Sequence, residues 1–144
     1  MIPLVLCVDD DSITLMLCNM IMQKASFSKK TITATNGKDA LSYFYEQRKL
    51  PVAEQSLPSL ILLDLNMPVM DGWEFLELFN NDFADFHKSV KVVILSSSVN
   101  PEDKQRAHSY PLIIDFIPKP LSAVSLEKIK QLDEIKSFFQ SAGV

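Results

Sequence analysis

Leu60-Ile61-Leu62-Leu63-Asp64-Leu65-Asn66-Met67-Pro68 carries the clearest structural signal in the chain. Four consecutive apolar residues are too few for a helix and suit a strand buried on both faces. The run stops at a carboxylate, so Asp64 stands at the strand's carboxyl end. The same grammar recurs on either side of it. Residues 4–8 are continuously apolar and end in Asp9-Asp10-Asp11. Residues 90–95 end in Ser96, and residues 112–117 lead to Lys119. A more polar, β-branched run at 31–35 suits an edge strand. Between these runs lie longer amphipathic stretches, and alternation of this kind predicts a parallel sheet with helices on both faces.

The first of these helices is expected over 12–24, with Ile13, Met16, Leu17, Met20 and Ile21 turned inward. The second follows Asn36-Gly37 and carries Ala40, Leu41, Phe44 and Tyr45. A polar connection follows over 46–59. The third begins near Gly72 with Trp73, Leu76, Phe79 and Phe83 at helical spacing. The fourth opens with Asn100 as N-cap, Pro101 at the first helical position and Glu102 and Asp103 in the first turn. The fifth is expected over 122–140, with Leu126, Ile129, Leu132 and Ile135 inward.

The 144 residues carry a net charge of −4, with 47% hydrophobic and 22% charged. One soluble domain over 1–144, with an ordinary core and no output module, is the expectation from these numbers. No basic footprint exists, so neither nucleic acid nor an anionic membrane is an expected partner. The apolar N-terminus stops at Asp9, too early for a signal peptide or membrane span, and the expected location is cytoplasmic. Cys7 and Cys18 read as small buried hydrophobes in a reducing compartment.

In an open parallel sheet all the polar strand ends meet along one edge, where such sheets bind ligands. Asp9, Asp10 and Asp64 would then crowd together, and like charges at short range need a cation. An all-oxygen donor set without His or Cys suggests Mg²⁺. A carboxylate at the mouth of the sheet can act as a covalent nucleophile toward phosphorus. Lys119 can reach a phosphoryl oxygen, and Ser96 can donate a hydroxyl hydrogen bond to one.

Five motifs in order carry a family resemblance: Val5-Leu6-Cys7-Val8-Asp9-Asp10-Asp11, Asn36-Gly37-Lys38-Asp39-Ala40-Leu41, Leu62 through Gly72, Ile94-Leu95-Ser96-Ser97, and Phe116-Ile117-Pro118-Lys119-Pro120-Leu121. They span nearly the whole chain, which resembles the receiver domain of two-component response regulators. The resemblance implies a flavodoxin-like, doubly wound five-stranded sheet of order 2-1-3-4-5. It implies that Asp64 accepts a phosphoryl group from a sensor histidine kinase or a histidine phosphotransfer protein. It implies that Asp10, Asp9, Asp64 and the backbone carbonyl of Asn66 hold Mg²⁺. Lys119 would pair with the phosphoryl group, while Ser96 and Phe116 switch the face of helix 4, strand 5 and helix 5 for an unidentified downstream protein. Slow self-hydrolysis would follow, so the chain is not a conventional enzyme. A phosphorylation-dependent dimer stays open, and a cis bond is expected before Pro120.

Ser96 stands where threonine is commoner in the family, followed by Ser97 and Ser98, and Pro118 adds a proline beside the site. No required group is removed. The alternative is a degenerate receiver that serves only as a binding module, but acceptor, acid pair and lysine are all present. An unrelated nucleotide binder would need a Gly-rich phosphate loop, and the chain has only Gly37, Gly72 and Gly143. His87 and His108 read as surface or boundary residues, and the aromatic stripe of Trp73, Phe79 and Phe83 as core.

Overall fold

The apolar runs form five parallel strands, and each run carries alternate residues to opposite faces. The computed structural model describes residues 1–97 and 100–140. The strands are β1 (Ile2–Val8), β2 (Ser28–Ala34), β3 (Leu60–Leu63), β4 (Lys91–Ser96) and β5 (Ile113–Pro118). The helices are α1 (Ser12–Lys24), α2 (Gly37–Arg48), α3 (Gly72–Asp82), α4 (Pro101–Ala107) and α5 (Ala123–Lys130). The strand order is β2-β1-β3-β4-β5, as expected, and every pairing is parallel. The chain leaves β1 toward β2 and then returns to the other side of β1 to make β3. The carboxyl ends of β1 and β3 therefore flank the crevice where strand order reverses. Among the described residues no helix is long and apolar enough to cross a membrane.

Two cores sandwich the sheet. On one face Leu6, Val8, Ile61, Leu63, Val92 and Ile94 pack under α2 and α3. Phe44, Phe75, Phe79, Phe83 and Phe86 dominate there, with Phe44 and Phe79 edge to face at 4.7 Å between centroids. On the other face Val5, Cys7, Leu60, Leu62, Val93 and Leu95 pack with Leu15, Met22, Phe27, Leu126 and Ile129. Because every central strand is buried on both faces, its sequence shows no polar alternation.

Helix starts follow their capping residues. Asp11, Asn36, Asp71, Asn100 and Ser122 each accept a backbone N–H from the first turn. Asp71 and Glu74 complete a capping box, so α3 starts at Gly72. Trp73 is core as expected, and its Nε1–H also donates to Asp103 of α4 at 3.2 Å. His87 stacks on Phe79 at the core boundary, and His108 is the C-cap of α4.

Several expectations are corrected. The face of α1 that was expected inward is turned out. Ile13, Met16, Leu17 and Met20 are 62%, 55%, 53% and 57% exposed, Ile21 is half-buried, and Leu15, Cys18 and Met22 are buried instead. The helix is apolar almost all round, so periodicity had no polar face from which to set its phase. The fifth helix stops at Lys130 instead of continuing to Gln140. A turn follows, and a short 3₁₀ segment, Lys136–Phe139, lays Phe139 on Phe27 at 5.4 Å. The Met1 ammonium donates to the carbonyl of Phe138. These contacts close the bottom of the sheet, which a continued straight helix would leave open. Phe83 is the C-cap of α3, not a helical residue, although it is fully buried. The connection after α2 starts later than expected, because α2 runs to Arg48, and it holds a 3₁₀ turn at Val52–Glu54. Ser98 lies outside the described residues.

Candidate functional site

Strand pairing brings two carboxylates together. The Asp9 N–H donates to Ala34 O at 3.0 Å, and the Asp64 N–H to Val8 O at 2.9 Å. The ladder thus continues one residue past the ends of β1 and β3. Both side chains emerge side by side at the crevice, yet Asp9 and Asp64 are only 5% and 4% exposed. Asp10 is exposed, and one carboxylate oxygen from each of Asp9, Asp10 and Asp64 lies within 4.8 Å of the others.

Lys119 reaches the pair from the far side of the sheet. Its backbone N–H donates to Ser96 O at 2.9 Å, which pins the end of β5 to the end of β4. Its ammonium lies 2.5 Å from Asp9 Oδ2 and 3.5 Å from Asp64 Oδ2. The Lys119–Pro120 bond is cis, as expected. Asp9 Oδ1 also accepts the Asp11 N–H at 2.9 Å. Ser96 is fully buried at the end of β4, and Phe116 is half-buried in β5, with the Lys104 ammonium 5.9 Å from its ring. Asn66 is exposed, and its backbone N–H donates to Asp64.

The electrostatics follow from this crowding. Burial holds the Asp64 carboxyl above the usual carboxylate range, and the charge of Asp9 adds to the effect. Lys119 and the Asn66 N–H oppose it without cancelling it. Burial pulls Lys119 down, but its bond to Asp9 and the charge of Asp64 win, so its ammonium is held above the usual lysine value. One ammonium thus faces two buried carboxylates and a third exposed one. This all-oxygen set with excess negative charge suits a hard divalent cation.

Asp64 consequently binds protons more tightly in the folded chain than in the unfolded one. Its contribution to stability is greatest at low pH and is lost as pH rises from the unfolded carboxylate value through the raised folded value. At neutral pH the ionised acceptor therefore costs stability. Asp64→Asn is expected to raise stability in urea at pH 7 by more than the roughly 0.5 kcal/mol scatter of neutral substitutions. The gain should vanish near pH 3, where both side chains are neutral.

The loop after Asp64 carries features that sequence reasoning missed. A Cβ on Gly72 would stand 2.5 Å from the carbonyl oxygen of Asp64, so only glycine lets α3 start this close to the acceptor. The Gly72 N–H donates to Leu65 O at 3.0 Å and ties the loop shut. Gly37 braces it from the other side, donating to Met70 O at 2.9 Å. Between these ties Val69 has φ 68, and the Met70 N–H donates to Pro68 O at 2.7 Å around it. A β-branched residue is strained in that three-residue turn. The Val69 side chain is 74% exposed and gains little from packing. Strain of about 1–3 kcal/mol outweighs the extra unfolded-state entropy of glycine, so Val69→Gly is expected to stabilise the chain by about 1 kcal/mol in urea unfolding. Gly72 was visible as the end of Asp71-Gly72, but nothing in the sequence marked Val69.

Cys7 and Cys18 are buried behind the acids. Burial pushes both thiols up, that of Cys18 to about 11, which leaves them unreactive.

Comparison with known proteins agrees with this geometry. The probable methanogenesis regulatory protein FilR2 of Methanothrix harundinacea is 29% identical over 136 residues, covering 94% of this chain and 83% of its own. A protein-glutamate methylesterase/protein-glutamine glutaminase of Geobacillus kaustophilus is 33% identical over 105 residues, covering 72% of this chain but only 26% of its own. A two-component response regulator from Cytophaga hutchinsonii superposes with a TM-score of 0.83 at 29% identity, covering 96% of this chain and 98% of its own. The family model of the response regulator receiver domain matches residues 5–131. With its fold, its sheet order and its acid crevice, the chain belongs to the response regulator receiver domain family.

Proposed function

We propose that the chain is a phospho-acceptor switch, with Asp64 the acceptor. The observation that carries this reading is the packing of Asp9, Asp10 and Asp64 within 4.8 Å beside the Lys119 ammonium. An Asp64 oxygen attacks the phosphorus of a phosphohistidine on a sensor histidine kinase or histidine phosphotransfer protein. A P–O bond forms, the P–N bond breaks, and the leaving imidazole keeps the electron pair and takes up a proton. Such transfer asks the protein for positioning and charge neutralisation.

Asp9, Asp10, Asp64 and the Asn66 carbonyl are the residues that would hold Mg²⁺, which supplies charge neutralisation at the phosphoryl oxygens. Lys119 is already poised between Asp9 and Asp64 and pairs with an oxygen of the incoming group. Ser96 donates its hydroxyl to another. Phosphorylation adds charge and acceptor oxygens at the end of β4 and β5, and these bias the face of α4, β5 and α5 between two states. Phe116, in the middle of that face, follows Ser96, and a downstream protein reads the result in the cytoplasm.

Beryllofluoride tests both parts. NMR spectra of the wild type with Mg²⁺ and beryllofluoride are expected to shift at Asp64 and Lys119, and also across α4, β5 and α5. Asp64→Asn should not respond. Shifts confined to the crevice would contradict the switch, and no Asp64-dependent shift would contradict the acceptor.

A further inference from the structure

Helix α4 is weakly anchored by its own sequence. It is seven residues long, and Ala107 is its one buried residue. A single methyl group is a small footing on the sheet. Two aromatic rings grip the helix as well, one on each flank. On the β5 side the Lys104 ammonium lies 5.9 Å from the centre of the Phe116 ring. On the α3 side stands Trp73, the chain's single tryptophan. Its Nε1–H donates to Asp103 Oδ1 at 3.2 Å, and the Arg106 guanidinium lies over its ring at 4.4 Å. Tyr110, just past α4, stacks on it with 6.2 Å between centroids.

The two grips differ in what stands behind them. Phe116 belongs to the face proposed above to switch. Trp73 stands on the acceptor's own loop. It follows Gly72, whose N–H donates to Leu65 O at 3.0 Å and where a Cβ would meet the Asp64 carbonyl oxygen at 2.5 Å. The Asp71–Glu74 capping box fixes this first turn of α3. When α4 is displaced, the indole cannot follow it. Trp73 is only 9% exposed, so its N–H would be left short of an acceptor and largely shielded from water. Leaving a buried donor unmade costs more than the bond contributes when made. Loss of the Arg106 contact adds to that cost. A helix held in this way stays in place or lets go, without a continuous range between.

We propose that Trp73 is a positioning residue that latches α4. Its bond to Asp103 and its place under Arg106 hold the helix in the arrangement that precedes phosphorylation, and the switch requires their release. The inference rests on the acceptor reading of Asp64. The Lys119 ammonium is engaged by Asp9 and Asp64, which is the arrangement before a phosphoryl group claims it. By linkage, whatever holds that arrangement weakens any ligand that favours the other. The latch therefore sets how readily the acceptor crevice is filled, through a helix that does not touch Asp64's carboxylate.

Beryllofluoride with Mg²⁺ is the probe, titrated into the full chain while Trp73 emission and the crevice NMR signals are followed together. In the wild type the emission is expected to change with the same midpoint as the crevice signals. Asp103→Ala removes the acceptor but keeps the reporter, and it should lower the midpoint roughly two- to tenfold, the range of one hydrogen bond. Asp103→Asn loses the charge but keeps a carbonyl acceptor, so it should stay near the wild type, which a mere effect of helix charge would not allow. Arg106→Gln should lower the midpoint by less. Neither Asp103 nor Arg106 is buried, so circular dichroism should show an unchanged fold. Crevice signals that fill at the wild-type midpoint in Asp103→Ala would overturn the latch and leave the acceptor standing. So would an emission that ignores beryllofluoride while the crevice fills. A crevice that never responds in the wild type would instead remove the acceptor reading, and the latch with it.

Discussion

Gly72→Ala is expected to lose about 3 kcal/mol of stability and to slow phosphorylation of Asp64 about 100-fold. The added Cβ would lie 2.5 Å from the Asp64 carbonyl oxygen and 2.9 Å from Leu65 Cα. Both are backbone atoms, and neither can rotate away. Relief requires α3 to retreat or Asp64 to shift, and α3 is held by the Asp71–Glu74 capping box and by Phe75, Leu76 and Phe79 in the core. The strain therefore falls on the acceptor's own peptide. Urea unfolding and the rate of phosphoryl uptake from a small donor check the two halves. A variant as stable and as fast as the wild type would mean that the loop is softer than its hydrogen bonds imply.

Lys119→Met is expected to have the second large effect. The methionine keeps most of the stem but removes the ammonium 2.5 Å from Asp9 and 3.5 Å from Asp64. Breaking a buried pair by removing one partner costs about 3–5 kcal/mol when burial is complete. The Lys119 side chain is 19% exposed, so about 2–3 kcal/mol at pH 7 is the expectation here. The deficit should carry a pH signature. Without Lys119 the Asp64 carboxylate faces the charge of Asp9 unopposed, and protonation of Asp64, whose carboxyl is already held above the usual range, relieves it, so the variant's deficit should shrink as pH falls. At the alkaline end the deficit shrinks again, because the wild type loses what Lys119 contributes. Lys119 has a raised pKa, so the stability it contributes is present below the ordinary lysine value and is lost as pH rises through the higher folded value. Phosphoryl uptake by the variant should fall at every pH, because the cation for a phosphoryl oxygen is gone. Urea titrations across pH, beside adduct rates, separate the two effects.

The sheet was legible because polar residues interrupt apolar runs at one end only. Leu60–Leu63 is bounded by Asp64 and became β3 without adjustment. Asp9, Asp64 and Lys119 are far apart in sequence, yet each sits at a strand's carboxyl end, and parallel topology alone brings such ends together. What stayed hidden lacked contrast. With apolar residues on every side of α1, the sequence could not say which side meets the sheet. The length of α5 turned on Phe138 and Phe139 reaching back to Met1 and Phe27, a contact across the whole chain. The strain at Val69 and the tight approach of Gly72 to Asp64 are backbone properties that no side-chain pattern announces.

The measurement that bears most directly on the acceptor is an intact mass after incubation with a small phosphodonor such as phosphoramidate and Mg²⁺. The wild type is expected to gain one acid-stable, base-labile phosphoryl group, and to gain none without Mg²⁺. Asp64→Asn is expected to gain none under either condition. A phosphoryl group on Asp64→Asn, or one on the wild type that is indifferent to Mg²⁺, would contradict the assignment of Asp64 and its acid neighbours.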